Sequence, residues 1–411
     1  MTASYAADER LLAELREQWP PRPSPLRAGT PDGYVAPDLA ERPPAVAIGL
    51  ASHRFAVALV ADSDGWLPIP LAGSGGRWWR AAPGDGLSAF VAGVPMASER
   101  PLGVDQTNTS VVVGERAIVK WFRRIGPGPS RAAMLIAHLD ASGFTAIPRP
   151  LGSIAWRTAD GTELVVAQGD AWLPSARDGW EWAVERIERG EPDAALTGRQ
   201  LGRLVAALHA TLATETPVIP QPLATAPSRD AIRWKATALA TLAEAMALTD
   251  GADGRILEAA EPALRSALDR LPTATDRGVR IQPVHGDLHV GQVLEWPGGL
   301  AVIDFDGNPA LGPEANPIRQ PIERDVAQLI SSLDHVGRIV EHRRGNGPDP
   351  AVAEWIVVSR DAFLAAYGPV DPDLLEAFEA EGELRELVYA GRFLPRWRYA
   401  PLATLRARFG G

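Results

Sequence analysis

The sequence predicts an α+β protein of two lobes with an N-terminal cap, and three observations carry that reading. Short apolar strands crowd 45–69 and 111–167, helical periodicity dominates from about 176 onward, and one compact β segment at 281–306 interrupts that helical half. At 411 residues the chain is too long for one small core. The expected parts are a cap over 1–95, a small β-rich lobe over 96–175 and a larger, mainly helical lobe over 176–411.

In chain order, 8–18 has the apolar spacing of a short amphipathic helix, and Pro20, Pro21, Pro23 and Pro25 then break it. The runs 45–50 and 55–60 are strands, Ser63-Asp64-Gly65 is a turn, and 66–69 opens another strand. Val111 to Val113 and Ala117 to Phe122 flank the turn Gly114-Glu115-Arg116. A helix over 129–142 follows, then strands at 151–156 and 164–167 around Asp160-Gly161. Helical spacing then marks 178–189, 197–215, 228–249, 254–270, 321–342, 350–366 and 372–393. In the second of these, Leu201, Leu204, Val205, Leu208 and Leu212 form a core stripe, with His209 beside it as a packed histidine.

Composition narrows the function classes. Hydrophobic residues make up 46% and charged residues 22%, an ordinary globular mix. A formal net charge of −10 argues against a nucleic-acid grip. The absence of cysteine excludes disulfides, thiolate catalysis and Cys-ligated zinc. The N-terminus lacks an apolar leader, and the most apolar stretch, 45–61, contains His53 and Arg54, so no membrane association is expected and the protein should be cytoplasmic.

The densest chemistry lies in Val284-His285-Gly286-Asp287-Leu288-His289-Val290-Gly291-Gln292, followed after Pro297-Gly298-Gly299 by Ile303-Asp304-Phe305-Asp306-Gly307-Asn308-Pro309. Two short strands around the glycine turn would form a hairpin that brings Gln292 near Asp304, with Asp287 in the loop before it. Phosphoryl transfer needs such a set. A carboxylate must accept the proton of the attacking hydroxyl, and oxygen ligands must hold Mg2+ against the phosphates of ATP. Asp304 offers a charged oxygen and Gln292 a neutral one, both suited to a hard cation.

This block resembles the aminoglycoside phosphotransferase-like kinases, within the wider protein-kinase-like fold. It is most similar to the maltokinase-like branch, where HGDLHxGQ and DFxGxP stand in this order. The resemblance implies that Asp287 is catalytic and that Gln292 and Asp304 bind magnesium. Upstream, Thr107, Asn108, Thr109 and Ser110 resemble that family's phosphate loop, and Lys120 its phosphate-binding lysine. The adenine is expected at backbone groups of the connector Gln168-Gly169-Asp170. Arg324-Asp325-Val326-Ala327 is similar to the family's RDVA segment, which implies a bracing role for Asp325. One departure stands out: Ala132 occupies the helix position where the branch has a glutamate partner for the lysine.

The Asp304-Phe305-Asp306-Gly307-Asn308-Pro309 variant resembles the actinobacterial glucosamine kinases, a sister group of the maltokinases. The implied reaction is phosphorylation of glucosamine at its 6-hydroxyl. An amine-bearing sugar wants carboxylates nearby, and Asp306 and Glu386 are the candidates. His289, Tyr389 and Arg392 are candidates for its hydroxyls. Trp397 either stacks on the ring or packs in the core, and Glu386 either meets the amine or faces solvent. A maltokinase, an antibiotic phosphotransferase and a non-catalytic pseudokinase are the competing readings.

Overall fold

The computed structural model describes residues 2–23, 42–50, 54–63, 65–103, 108–126, 128–190, 193–271, 278–308, 317–345 and 347–410. The chain divides into two compact units: Met1–Asp140 with Ile147–Ser175, and Ala141–Ala146 with Ala176–Gly411.

The first unit holds two sheets. Strands β2 (Arg22–Pro23), β3 (Val46–Leu50), β4 (Phe55–Asp62), β5 (Gly65–Ser74) and β6 (Arg77–Arg80) form a five-stranded sheet in the order β2-β6-β5-β4-β3. A six-stranded sheet runs β1-β10-β11-β9-β8-β7. Its members are β1 (Thr2–Tyr5), β7 (Glu99–Pro101), β8 (Thr109–Val113), β9 (Ala117–Trp121), β10 (Pro150–Arg157) and β11 (Glu163–Ala171). Helix α1 (Glu9–Glu17) begins where the Asp8 carboxylate accepts the N–H of Leu11 at 2.9 Å, and it buries Leu11, Leu12 and Leu15.

Strand β4 explains why the expected cap is not a separate body. Side chains alternate across a strand. Ala56, Ala58 and Val60 therefore pack with Leu11, Leu12 and Leu15 of α1. Phe55, Val57 and Leu59 join one core with Val111, Val119, Ile154 and Val166 of the other sheet. Apolar on both faces, the strand needs a cover on each side. Residues 1–95 thus share a core with 96–175, and β1 pairs in parallel with β10, Thr2 opposite Ser153. The short helix α2 (Leu87–Val91) contributes Leu87, Ala89 and Val91 to the same core. It is anchored by Glu99, whose carboxylate accepts the N–H groups of Gly84 at 2.7 Å, Gly86 at 3.1 Å and Ala89 at 2.7 Å. Helix α3 (Arg131–Ala141) matches the expected 129–142.

The second unit is helical apart from small strands. Its helices are α4 (Gly179–Glu188), α5 (Ala194–Leu212), α6 (Ser228–Leu248), α7 (Gly251–Leu268), α8 (Glu323–Arg344), α9 (Pro350–Tyr367), α10 (Pro372–Phe393) and α11 (Tyr399–Phe409). All but α11 match an expected helix. Helix α5 carries Leu201, Val205, Leu208 and Leu212 buried, as its spacing predicts. It packs closely on α9: a Cβ on Gly198 would stand 2.0 Å from the Ser359 carbonyl oxygen. Strands β12 (Ala224–Thr225), β13 (Arg280–Pro283) and β16 (Arg319–Gln320) make a small sheet. β14 (Val293–Trp296) and β15 (Gly299–Val302) form the expected hairpin, Val293 opposite Val302. Among the described residues no helix is long and apolar enough to cross a membrane.

Candidate active site

The loop between β13 and β14 is built from the backbone outward. Its foundation is the fully buried Asp325 near the start of α8, whose Oδ2 accepts the His285 N–H at 2.7 Å and whose Oδ1 accepts the Gly286 N–H at 2.8 Å. His209 Nε2 lies 3.0 Å from the same Oδ2, and His209 Nδ1 lies 2.8 Å from the Tyr367 hydroxyl. Burial alone would push the Asp325 carboxyl up. The hydrogen bond and charge of His209, with His285 and the Gly286 N–H, outweigh that and hold it below the usual range. Asp325 is thus the brace its motif implies, and His209 is part of that brace.

His285 ties the loop to the second half of the site. Burial pushes its imidazole below the ordinary range, and a neutral ring fits its contacts. Nε2–H donates to the Ile303 carbonyl at 2.8 Å, while Nδ1 accepts the Asp287 N–H at 3.3 Å. Ile303 N–H in turn donates to the Gln292 carbonyl at 3.0 Å. One buried ring therefore spaces Asp287 from Asp304, and the hairpin sets Gln292 beside the 303–304 turn. Asp304 itself is exposed, with φ +65°, a left-handed conformation that costs a non-glycine residue energy and concentrates at functional sites.

His289 lies beside Gln292 in the same loop. Its Nδ1 accepts the Gly291 N–H at 3.1 Å, so the neutral ring carries its proton on Nε2. That nitrogen lies 3.3 Å from Gln292 Nε2. His289 thus packs against Gln292 within the loop. The Gln292 amide oxygen is a neutral donor of the kind a hard cation accepts. Asp304 and Gln292 thus fit a magnesium ion, which takes one or two protein oxygens and the rest from phosphates and water. No cluster of three or more His, Asp or Glu suited to a metal occurs among the described residues.

Beside His289 stands an aromatic wall. Trp180 of α4 stacks on the His289 ring with centroids 5.7 Å apart and meets Trp397 edge-on at 6.0 Å. Gly179 makes this approach possible, since a Cβ there would lie 1.7 Å from the Val290 carbonyl oxygen. Arg177 and Arg186 both pair with Glu295 and fasten α4 to β14. Trp397 Nε1–H donates to Glu386 Oε2 at 2.8 Å. Behind Trp397, buried His335 meets its ring edge-on at 5.6 Å and contacts Glu383 at 2.9 Å. Burial opposes charge on His335, but Glu383, Glu386 and Asp334 outweigh it and push the imidazole up to about 9.

Of the other expected substrate residues, Tyr389 is exposed and neighbours Phe393. Arg392 is paired with Glu244 of α6. Asp306 is half-buried in the turn after Asp304.

Within the first unit, Lys120 lies on β9 opposite Gln168 of β11, and Ser110 of β8 lies opposite it on the other side. Here the expected connector needs correction. Gln168 and Asp170 belong to a central strand, paired with β9 and β10, and not to a connector between elements. Their side chains share the Lys120 face instead. Gln168 Nε2 donates to both Asp170 oxygens at 3.2 Å, and burial pushes the Asp170 carboxyl up to about 6 against the pull of that amide and of Lys120. With Ala132 buried in α3, Asp170 is an acid whose charge acts on Lys120. Asn108 and Thr109 are buried, their side-chain oxygens accepting from Arg123 N–H at 3.3 Å and Arg123 Nε–H at 3.4 Å. Thr107 lies outside the described residues.

Fold and loop together define a class, the phosphotransferases of kinase-like fold. Residues 98–307 match the Phosphotransferase enzyme family, and the chain belongs to that family. A glucosamine kinase of Streptacidiphilus jiangxiensis is 38% identical over 397 residues, covering 86% of this chain and 88% of the relative. A second, from Mycolicibacterium smegmatis, is 35% identical over 388 residues, covering 85% and 94%. A solved glucosamine kinase in complex with glucosamine, ADP and inorganic phosphate superposes with a TM-score of 0.78 at 34% identity, covering 93% of this chain and 98% of that one.

Trp180, Ser332 and Gln328 were not among the sequence candidates. The last two follow Asp325 at helical spacing, a signal available once Asp325 is known to face the loop.

Proposed function

We propose that this chain is an ATP- and magnesium-dependent glucosamine kinase, transferring the γ-phosphoryl group to the sugar 6-hydroxyl. The observation that carries the reading is the Glu386 carboxylate held on the Trp397 indole, in ring contact through Trp180 and His289 with the Asp287 loop. A carboxylate beside aromatic walls suits a small polar ring bearing an ammonium group. The family and its glucosamine kinase relatives support the same substrate.

In this reading Asp287 accepts the proton of the attacking hydroxyl. Trp397 and Trp180 line the sugar ring, and Glu386 pairs with its ammonium. Lys120, with Asp170 behind it, meets the phosphates. Asp304 and Gln292 would hold magnesium, which neutralises charge on the transferring phosphates. The acceleration comes from positioning and fixed charge.

An ADP-release assay over glucosamine, glucose and maltose tests the reading, with phosphorus NMR separating a 6-phosphate from a 1-phosphate. Turnover of maltose in preference to glucosamine would overturn it. Glu386→Gln should raise KM for glucosamine on the order of ten- to a hundredfold, the loss of one charge-assisted hydrogen bond, and leave KM for ATP unchanged. Asp304→Ala should remove the magnesium dependence of ADP binding in calorimetry, a readout independent of turnover; unaltered dependence would remove the metal role.

A further inference from the structure

Helix α8 presents a stripe to the active-site loop. Asp325, Gln328 and Ser332 are three and four residues apart, so they share one face. Asp325 receives the His285 and Gly286 N–H groups. Ser332 Oγ accepts the Val290 N–H at 2.9 Å and donates to the Leu329 carbonyl at 2.6 Å. Between them, Gln328 Nε2–H donates to Asp287 Oδ1 at 2.7 Å. Of these four hydrogen bonds to the loop, this one reaches a side chain instead of the backbone.

We infer that Gln328 is a positioning residue for the phosphoryl-transfer base: it occupies Asp287 Oδ1, fixes the plane of the carboxylate and leaves Oδ2 as the oxygen that takes the substrate proton. A carboxylate on a loop turns readily about its terminal torsion, which is broad and roughly two-fold. Pinned at one oxygen, it presents the other in a single direction. Reacting groups need alignment of this kind, and small misplacements cost turnover heavily. The donor is a neutral amide, so it sets the orientation of the anion without removing its basicity through a full positive charge. The inference rests on the reading of Asp287 as base.

The test is steady-state kinetics on Gln328→Met, which keeps the length of the side chain and removes the donor. The expected result is a fall in kcat of roughly ten- to a hundredfold, with KM for glucosamine and for ATP, and ADP affinity in calorimetry, within about twofold of the parent. Gln328→Glu, of the same length and without the amide donor, should lower kcat at least as far and serves if the methionine variant folds poorly. A purely structural role would instead move ADP affinity and the melting temperature together with kcat. Full kcat in either folded variant, or a loss carried by KM, overturns the inference while Asp287→Asn still reports on the base. An active Asp287→Asn overturns both.

Discussion

Asp287→Asn should lose at least about a thousandfold in kcat while the protein folds and binds ADP as before, a loss of the size seen when a single catalytic group is removed elsewhere. The substitution is nearly isosteric, and the loop does not depend on the carboxylate for its shape. Its backbone is held by Asp325, Ser332 and His285, and the Asp287 N–H that His285 Nδ1 accepts is present in either residue. What disappears is the oxygen able to take a proton. Stopped-time ADP release, with calorimetry of ADP binding alongside, separates the two effects. Turnover near that of the parent would remove Asp287 from the chemistry.

Asp325→Ala should act on stability and activity together. The carboxylate receives two backbone N–H groups and lies 3.0 Å from His209 Nε2, all in an interior closed to water. Removing one partner of a buried charged network costs about 3–5 kcal/mol, because the donors left behind are unsatisfied. Thermal melting should therefore fall by several degrees, and turnover should fall with it as the 285–287 backbone loosens. The pH dependence has a definite sign. A carboxyl whose folded pKa is depressed stabilises above its unfolded pKa, near 3.9 for aspartate, and that contribution is lost as pH falls through the folded value. The gap in melting temperature between parent and variant should hold at neutral pH and narrow as acid is added below about pH 4. A gap that widens in acid would contradict the assignment of Asp325 as a buried anion.

Much of the fold was legible in the sequence because its helices carry regular apolar spacing and its strands are short and bounded by turn residues. The 197–215 stripe and the 293–302 hairpin are examples. The active-site loop was legible because Asp287, Gln292 and Asp304 stand at fixed spacing around a glycine turn. What escaped lies in contacts that spacing does not encode. The β4 run is equally apolar at odd and even positions, and nothing local says that the even face belongs to α1 and the odd face to a second sheet. By resemblance to the family, Gln168 and Asp170 are expected in a connector, yet β11 continues to Ala171 with a neighbour on each side. The contacts of His289 with Gly291 and Gln292 are likewise set by the turn they share and not by spacing alone. Trp180 gained its place from Gly179, whose missing side chain lets α4 press on the 290–291 turn.

The grip of α8 on the loop makes this helix sensitive to reading frame in a way its neighbours are not. One residue inserted between Asp325 and Ser332 would turn everything beyond it by about 100° around the axis. Serine would then swing away, and glutamine with it where the insertion precedes it, while aspartate kept its hold, tearing the support apart. Any change of length within those eight positions should be purged under selection for activity, however conservative its chemistry.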